Sequence, residues 1–204
     1  MTTPDEPAFP PTWPRHPAAV YLGLMAAAVF VIALALDALP LTDPDEVFYA
    51  QTAREMLATP SPLTPLLFGQ PQFEKPPLTY WLLAASFALL GEHPWTARLV
   101  PALFGILGAL ATFLFGRRFL ASGVAALGAL VLLTSLAYLG QSIALLTDMV
   151  FTTLVAGAHF AFYLWYDRRR WAYLHGFAVL AALAILTKGP VALFLLLPAA
   201  ILFL

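Results

Sequence analysis

The chain has 204 residues, 61% of them hydrophobic and only 10% charged, with a mean hydropathy of +0.84. Soluble domains carry about 25% charged residues, so this composition excludes a soluble globular domain and predicts an all-α integral membrane protein. A formal net charge of −1 with no basic patch excludes a nucleic-acid partner, and the absence of cysteine excludes disulfides and thiolate metal sites.

Residues 1–17, MTTPDEPAFPPTWPRHP, are proline-rich and read as a disordered cytoplasmic tail. A bilayer core of roughly 30 Å takes about 20 apolar helical residues. Apolar runs predict spans at about 18–36, 98–116, 120–140, 149–166, 171–187 and 190–204. The first run is long, follows acids and precedes no small-residue cleavage site, so it reads as a retained span and not a signal peptide. The last run stops at Leu204 without a polar or basic flank. Residues 18–204 are therefore expected to be the N-terminal part of a longer transmembrane domain.

Basic residues in short loops set the orientation. Arg117 and Arg118 follow the second span, Arg168, Arg169 and Arg170 follow the fourth, and Arg15 precedes the first. All fall on one side, read as cytoplasmic, only if the apolar stretch 78–91 does not cross. That stretch is too short for a span and suits a helix lying along the interface, opened by Pro76 and Pro77 and carrying Tyr80 and Trp81. Residues 37–97 then form one outer loop with interfacial helices at about 45–58 and 77–91.

Into this loop the chain crowds Asp37, Asp43, Asp45, Glu46 and Glu55, with Glu74 and Lys75 after them. Asp45 is placed to cap the following helix, which is the plain reading of one acid there. An adjacent acid pair at an interface exceeds what a cap needs, because like charges repel, and a carboxylate so placed can accept a proton from a hydroxyl nucleophile. Tyr49 and Arg54 follow at helical spacing from Asp45 and Glu46, whereas Glu55 reads as a solvated face. Lys75 suits an anion at headgroup level, with a surface ion pair to Glu74 as the plain alternative.

Asp148, in LLTDMVF, stands between apolar runs at an outer span end, and Lys188, in LTKGP, falls on the same side. Their plain readings are a helix cap and a snorkelling lysine; ionisable residues at membrane depth otherwise mark function. Asp45, Glu46, Glu74, Lys75, Asp148 and Lys188 converge from four segments, and that convergence singles them out. The histidines do not converge, His159 reads as packed or hydrogen-bonded, and no zinc motif, P-loop or GxGxxG is present.

At DPDEVFYAQTAREML, FGQPQFEKPPLTYWL, WTARLVPALFGILGALATFLFGRRF and LLTDMVF, the chain resembles the polyprenyl-phosphate-dependent glycosyltransferases of the GT-C fold. Within them it is similar to bacterial relatives of the lipid A aminoarabinose transferases and protein O-mannosyltransferases. The resemblance runs from about residue 18 onward. It implies a GT-C multi-span helical bundle and a sugar donor linked to polyprenyl phosphate. It also implies a hydroxyl acceptor, a site on the outer face of the plasma membrane, and inverting displacement.

Residue by residue, the resemblance implies Asp45 as catalytic acid of its pair with Glu46, Asp148 as a further essential acid, and Lys75 on the donor phosphate beside Glu74. Arg54 and Lys188 are further candidates for that phosphate, and Tyr49 for support. No cofactor is required; a divalent metal beside the outer-loop acids stays open, with an undiagnostic ligand set. Aminoarabinose transferases are expected to carry arginine at the position of Phe48 and tyrosine at that of Gln72, so the resemblance stops short of that sugar. The rival readings are a transporter or flippase for an anionic lipid, and a non-catalytic scaffold that binds one.

Overall fold

The structure, a computed structural model, describes residues 18–37, 40–41, 43–59 and 63–203. The proline-rich tail lies outside the described residues. In chain order the helices are α1 (Ala18–Ala35), α2 (Pro44–Leu57), α3 (Leu78–Leu90), α4 (Pro94–Gly116), α5 (Ser122–Thr134), α6 (Leu136–Ile143), α7 (Thr147–Arg168), α8 (Trp171–Lys188) and α9 (Val191–Phe203). A hairpin of β1 (Leu66–Leu67) and β2 (Gln70–Pro71) interrupts the loop between α2 and α3.

α4, α7 and α8 are long and apolar enough to cross a membrane. α4 starts earlier than the expected residue 98, because Pro94 suits the first helical position and Thr96 bonds back to the backbone N–H of His93. The expected single span at 120–140 is two helices, α5 and α6, bent by 63°. No glycine or proline marks the break. Ser135 turns extended (φ −65°, ψ 136°), and the Ser135 and Thr134 hydroxyls donate to the carbonyls of Leu132 and Leu130. Such side-chain bonds to the preceding turn bend helices. α3, α9 and the stretch Tyr21–Ala35 of α1 are shorter apolar helices.

The outward faces are apolar. Phe194, Leu202 and Leu136 are more than three-quarters exposed, an arrangement stable against lipid and costly against water. α2 and α3 lie over one end of the bundle, where Tyr49, Met56, Tyr80 and Leu83 share a core with Val150, Leu154 and Ala158 of α7 and Leu196 of α9.

Glycines let α4 approach its neighbours. A methyl at Gly105 would collide with Ser142, and one at Gly108 with the hydroxyls of Tyr138 and Thr153. Those groups are fixed, since Tyr138 donates to the carbonyl of Gly105 at 2.7 Å and Thr153 to that of Phe104 at 2.8 Å. Small residues at such contacts let membrane helices approach closely. Gly108→Ala is expected to lower stability by about 1–3 kcal/mol, read as a shift in unfolding midpoint in detergent. An unchanged midpoint would mean that α6 moves aside without strain.

Candidate active site

The site begins at the start of α2. Asp43, not Asp45, caps this helix, and its Oδ1 accepts the N–H of Asp45 at 2.9 Å. The reason is Pro44, which has no N–H to donate and fits the first helical position. Asp45 and Glu46 then lie in the first turn and face apart, because successive helical residues are rotated by about 100°. Asp45 is exposed and Glu46 is 6% exposed.

The acid pair is therefore divided. Glu46 meets Arg98 of α4 in a two-pronged buried ion pair, at 2.8 and 3.0 Å, and also accepts the N–H of Leu145 at 3.0 Å. Arg98 donates further to the carbonyls of Leu36 and Pro40. The expected catalytic role of Glu46 is corrected here: both its oxygens are engaged away from solvent, and it joins the loop to α1, α4 and the α6–α7 turn.

One turn after Asp45 stands Tyr49, 1% exposed. Lys75 Nζ donates to its hydroxyl at 2.6 Å and sits 4.8 Å from its ring centroid. Burial works against the Lys75 charge, but the hydrogen bond to the Tyr49 hydroxyl, with the negative charges of Asp45 and Asp148, outweighs it and holds the ammonium above the ordinary lysine pKa. Lys75 is thus a cation seated on Tyr49, with Asp45 and Asp148 near enough for their charges to act on it.

Asp148, in the first turn of α7, accepts a 2.6 Å hydrogen bond from Lys188 at the end of α8. Lys188 also lies over the Phe151 ring. Both members are partly exposed. Glu74, Lys75, Lys188, Gln72 and Phe73 line an open cavity of about 520 Å³. Asp45, Tyr49, Glu74, Lys75, Asp148 and Lys188 therefore gather in one region. Arg54 does not join them: it pairs with Glu92 and bonds to Gln51, about 14 Å of helix beyond Asp45. Its expected place on the donor phosphate is corrected accordingly. Among the described residues no three His, Asp or Glu side chains gather as a metal-binding group.

A family model described as dolichyl-phosphate-mannose-protein mannosyltransferase matches residues 74–204. The chain belongs to this family. An uncharacterised protein of Aquifex aeolicus is 33% identical over 164 residues, covering 78% of this chain and 32% of that one. The undecaprenyl phosphate-α-4-amino-4-deoxy-L-arabinose arabinosyl transferase of Edwardsiella ictaluri is 32% identical over 146 residues, covering 70% and 26%. The crystal structure of ArnT from Cupriavidus metallidurans bound to undecaprenyl phosphate superposes with a TM-score of 0.80 at 28% identity, covering 87% of this chain and 34% of that one. Its apo form gives 0.78 at 29% identity. The chain spans about a third or less of the length of these relatives. Its fold is the all-helical membrane bundle of the GT-C transferases.

In this mannosyltransferase-family chain two residues gained roles that sequence reasoning did not give them. Arg98 was legible in principle: a lone arginine inside WTARLVPALFG needs a buried partner. Glu55, read as a solvated face, accepts the N–H groups of Phe68 and Gly69 at 3.0 and 2.9 Å. Those two residues are the positive-φ pair (52° and 74°) of the two-residue hairpin turn. A non-glycine at such a φ is strained, and the carboxylate offsets that strain.

The Gly69 N–H above all, then Gln51, and more weakly the Phe68 N–H, lower the Glu55 pKa against a small opposing burial effect. A depressed carboxylate pKa stabilises fully above the ordinary glutamate value, and that stabilisation is lost as pH falls through the folded value. Amide exchange at Phe68 and Gly69, corrected for its intrinsic pH dependence, is therefore expected to lose protection under acid. In Glu55→Ala protection should be low at every pH. A hairpin equally protected in both proteins would show that β1 and β2 hold themselves.

Proposed function

We propose that this chain carries the donor-phosphate side of a membrane glycosyltransferase, which moves a sugar from a polyprenyl-phosphate carrier to a hydroxyl acceptor on the outer face of the membrane. The observation that carries this reading is Lys75, seated on Tyr49 and lining an open cavity together with Lys188. The names of the relatives and the undecaprenyl phosphate in the ArnT crystal structure support the carrier class. The outer-face placement rests on the two arginine loops at the other bundle end.

In the reaction the acceptor oxygen attacks the anomeric carbon. The bond from that carbon to the phosphate oxygen breaks, and polyprenyl phosphate leaves with the bonding pair. Asp45, exposed and bonded to no cation among the described residues, takes the acceptor proton. Lys75 and Lys188 receive the charge that develops on the phosphate, from positions set before the donor arrives. Asp148 aims Lys188, and Tyr49 aims Lys75.

Equilibrium binding of radiolabelled polyprenyl phosphate to the detergent-purified protein tests this placement. A hydrogen bond to a charged group contributes about 1.5–3 kcal/mol, or roughly 10- to 100-fold in affinity. Lys75→Ala is expected to lose that much, with its fold intact by circular dichroism. Unchanged affinity would remove Lys75 from the phosphate site.

A further inference from the structure

Far from this site, the opposite end of the bundle carries a second constellation. Asp148 and Arg168 mark the two ends of α7, about 30 Å apart. Arg117 and Arg118 follow α4, and Arg168, Arg169 and Arg170 join α7 to α8; all are exposed. The ring of Phe119, one residue after the first pair, lies 5.4 Å from that of Tyr163, five residues before the second group, so both basic loops leave the same end of the packed α4 and α7. Among the described residues the carboxylate paired with these five cations is Asp167, at 3.7 Å from Arg168.

Beneath them, between α4, α7 and α9, is a cavity of about 240 Å³ lined by Phe115, Phe160, Tyr163, Tyr166 and Ala199. Its walls are rigid: Phe115 and Phe160 stack at 4.3 Å, and Tyr163 meets Phe115 edge-on. His159, also in its lining, has its Nδ1 hydrogen-bonded to the carbonyl of Val155.

Arg169 connects the two features. Its guanidinium lies 5.1 Å from the ring centroid of Tyr166, a wall of the cavity, and 5.2 Å from that of Trp165. It holds a left-handed conformation (φ 52°) at the end of α7, a position that favours glycine. The chain thus keeps a strained arginine at the rim of an apolar crevice.

We propose that this end of the bundle binds an anionic phospholipid, with its phosphate on Arg118 and Arg169 and an acyl chain in the aromatic crevice, while Arg117, over the Phe113 ring on the other face of α4, adds only its charge. An apolar crevice alone fits any chain, and basic loops alone fit any anion. Their junction at Arg169 and Tyr166 fits a molecule that has both parts. Among the described residues, the excess of five arginines over one paired carboxylate selects a headgroup with net negative charge over a zwitterionic one, whose amine balances its phosphate. Basic pockets between helices bind anionic headgroups in this way. A protein segment would need a run of acids directly beside an apolar stretch to match both.

Native mass spectrometry tests this on the intact protein, released from detergent with equal amounts of phosphatidylglycerol and phosphatidylethanolamine of identical chains. Wild type is expected to retain phosphatidylglycerol on the order of tenfold more, with the preference shrinking as salt rises. Arg169→Gln, at an exposed position, should lose most of the preference, and Arg169→Lys part of it. Ala199→Phe fills the crevice without touching any charge, and should lower retention of both lipids when its unfolding midpoint matches wild type. Equal retention of the two lipids by wild type would overturn the proposal. So would retention by Arg169→Gln and Ala199→Phe at the wild-type level, which would leave the crevice to a protein segment.

Discussion

Asp45→Asn is expected to bind polyprenyl phosphate as wild type does and to transfer sugar about 100- to 10,000-fold more slowly, the range for loss of a positioned general base. The substitution keeps size and shape. The cap is untouched, because Asp43 and not Asp45 closes the helix. Lys75 loses the charge of one flanking aspartate but keeps its bond to Tyr49 and the charge of Asp148. Donor affinity is therefore insulated from the change, and the loss falls on the chemical step. Release of free polyprenyl phosphate from a labelled polyprenyl-phosphate hexose, with a membrane extract as acceptor, reads the rate. Wild-type release by Asp45→Asn would end the base assignment. Donor bound by every protein, wild type included, but never turned over with any donor or acceptor would favour the transporter or scaffold reading.

The second large effect concerns stability. Glu46→Ala takes from the buried Arg98 its two-pronged carboxylate, and Arg98→Ala takes from the buried Glu46 its guanidinium. Breaking a buried pair from one side costs about 3–5 kcal/mol. Each variant is expected to show that loss in an unfolding titration in mixed micelles. The double variant Glu46→Met with Arg98→Met removes both charges and should recover part of it. Recovery stops short of wild type, because the N–H of Leu145 and the carbonyls of Leu36 and Pro40 lose their partners. A Glu46→Ala protein as stable as wild type but inactive would return Glu46 to the catalytic group.

The sequence made the bundle legible because hydropathy and short-loop arginines are collective signals that no single packing contact overrides. The loop helices, expected at 45–58 and 77–91, form at Pro44–Leu57 and Leu78–Leu90. Prolines mark both starts. Span counting put Asp45, Glu46, Glu74, Lys75, Asp148 and Lys188 on one membrane face, and of these Glu46 turns into the core. What escaped was pairwise. Whether Glu46 faces the site or the core depends on Arg98, 52 residues away, and no local pattern carries that. The break at Ser135 escaped because its neighbours are as apolar as those of an unbroken span. The hairpin escaped because its turn, Phe68-Gly69, relies on a carboxylate from another element.

The Glu46 carboxylate also fixes an order of assembly. It is synthesised 52 residues before Arg98 and 99 residues before Leu145. Helices enter the bilayer as the chain emerges, so the loop bearing Asp45 waits at the surface without its anchor until α4 has inserted. It is closed only when the turn before α7 arrives. Lys75 can be seated on Tyr49 early, but Asp148 and Lys188 come after that closure. On the proposed reading, phosphate binding during synthesis is deferred until α8 is complete, and a nascent chain arrested before residue 145 carries Asp45 and Glu74 without Asp148 or the anchor of Glu46 at Leu145.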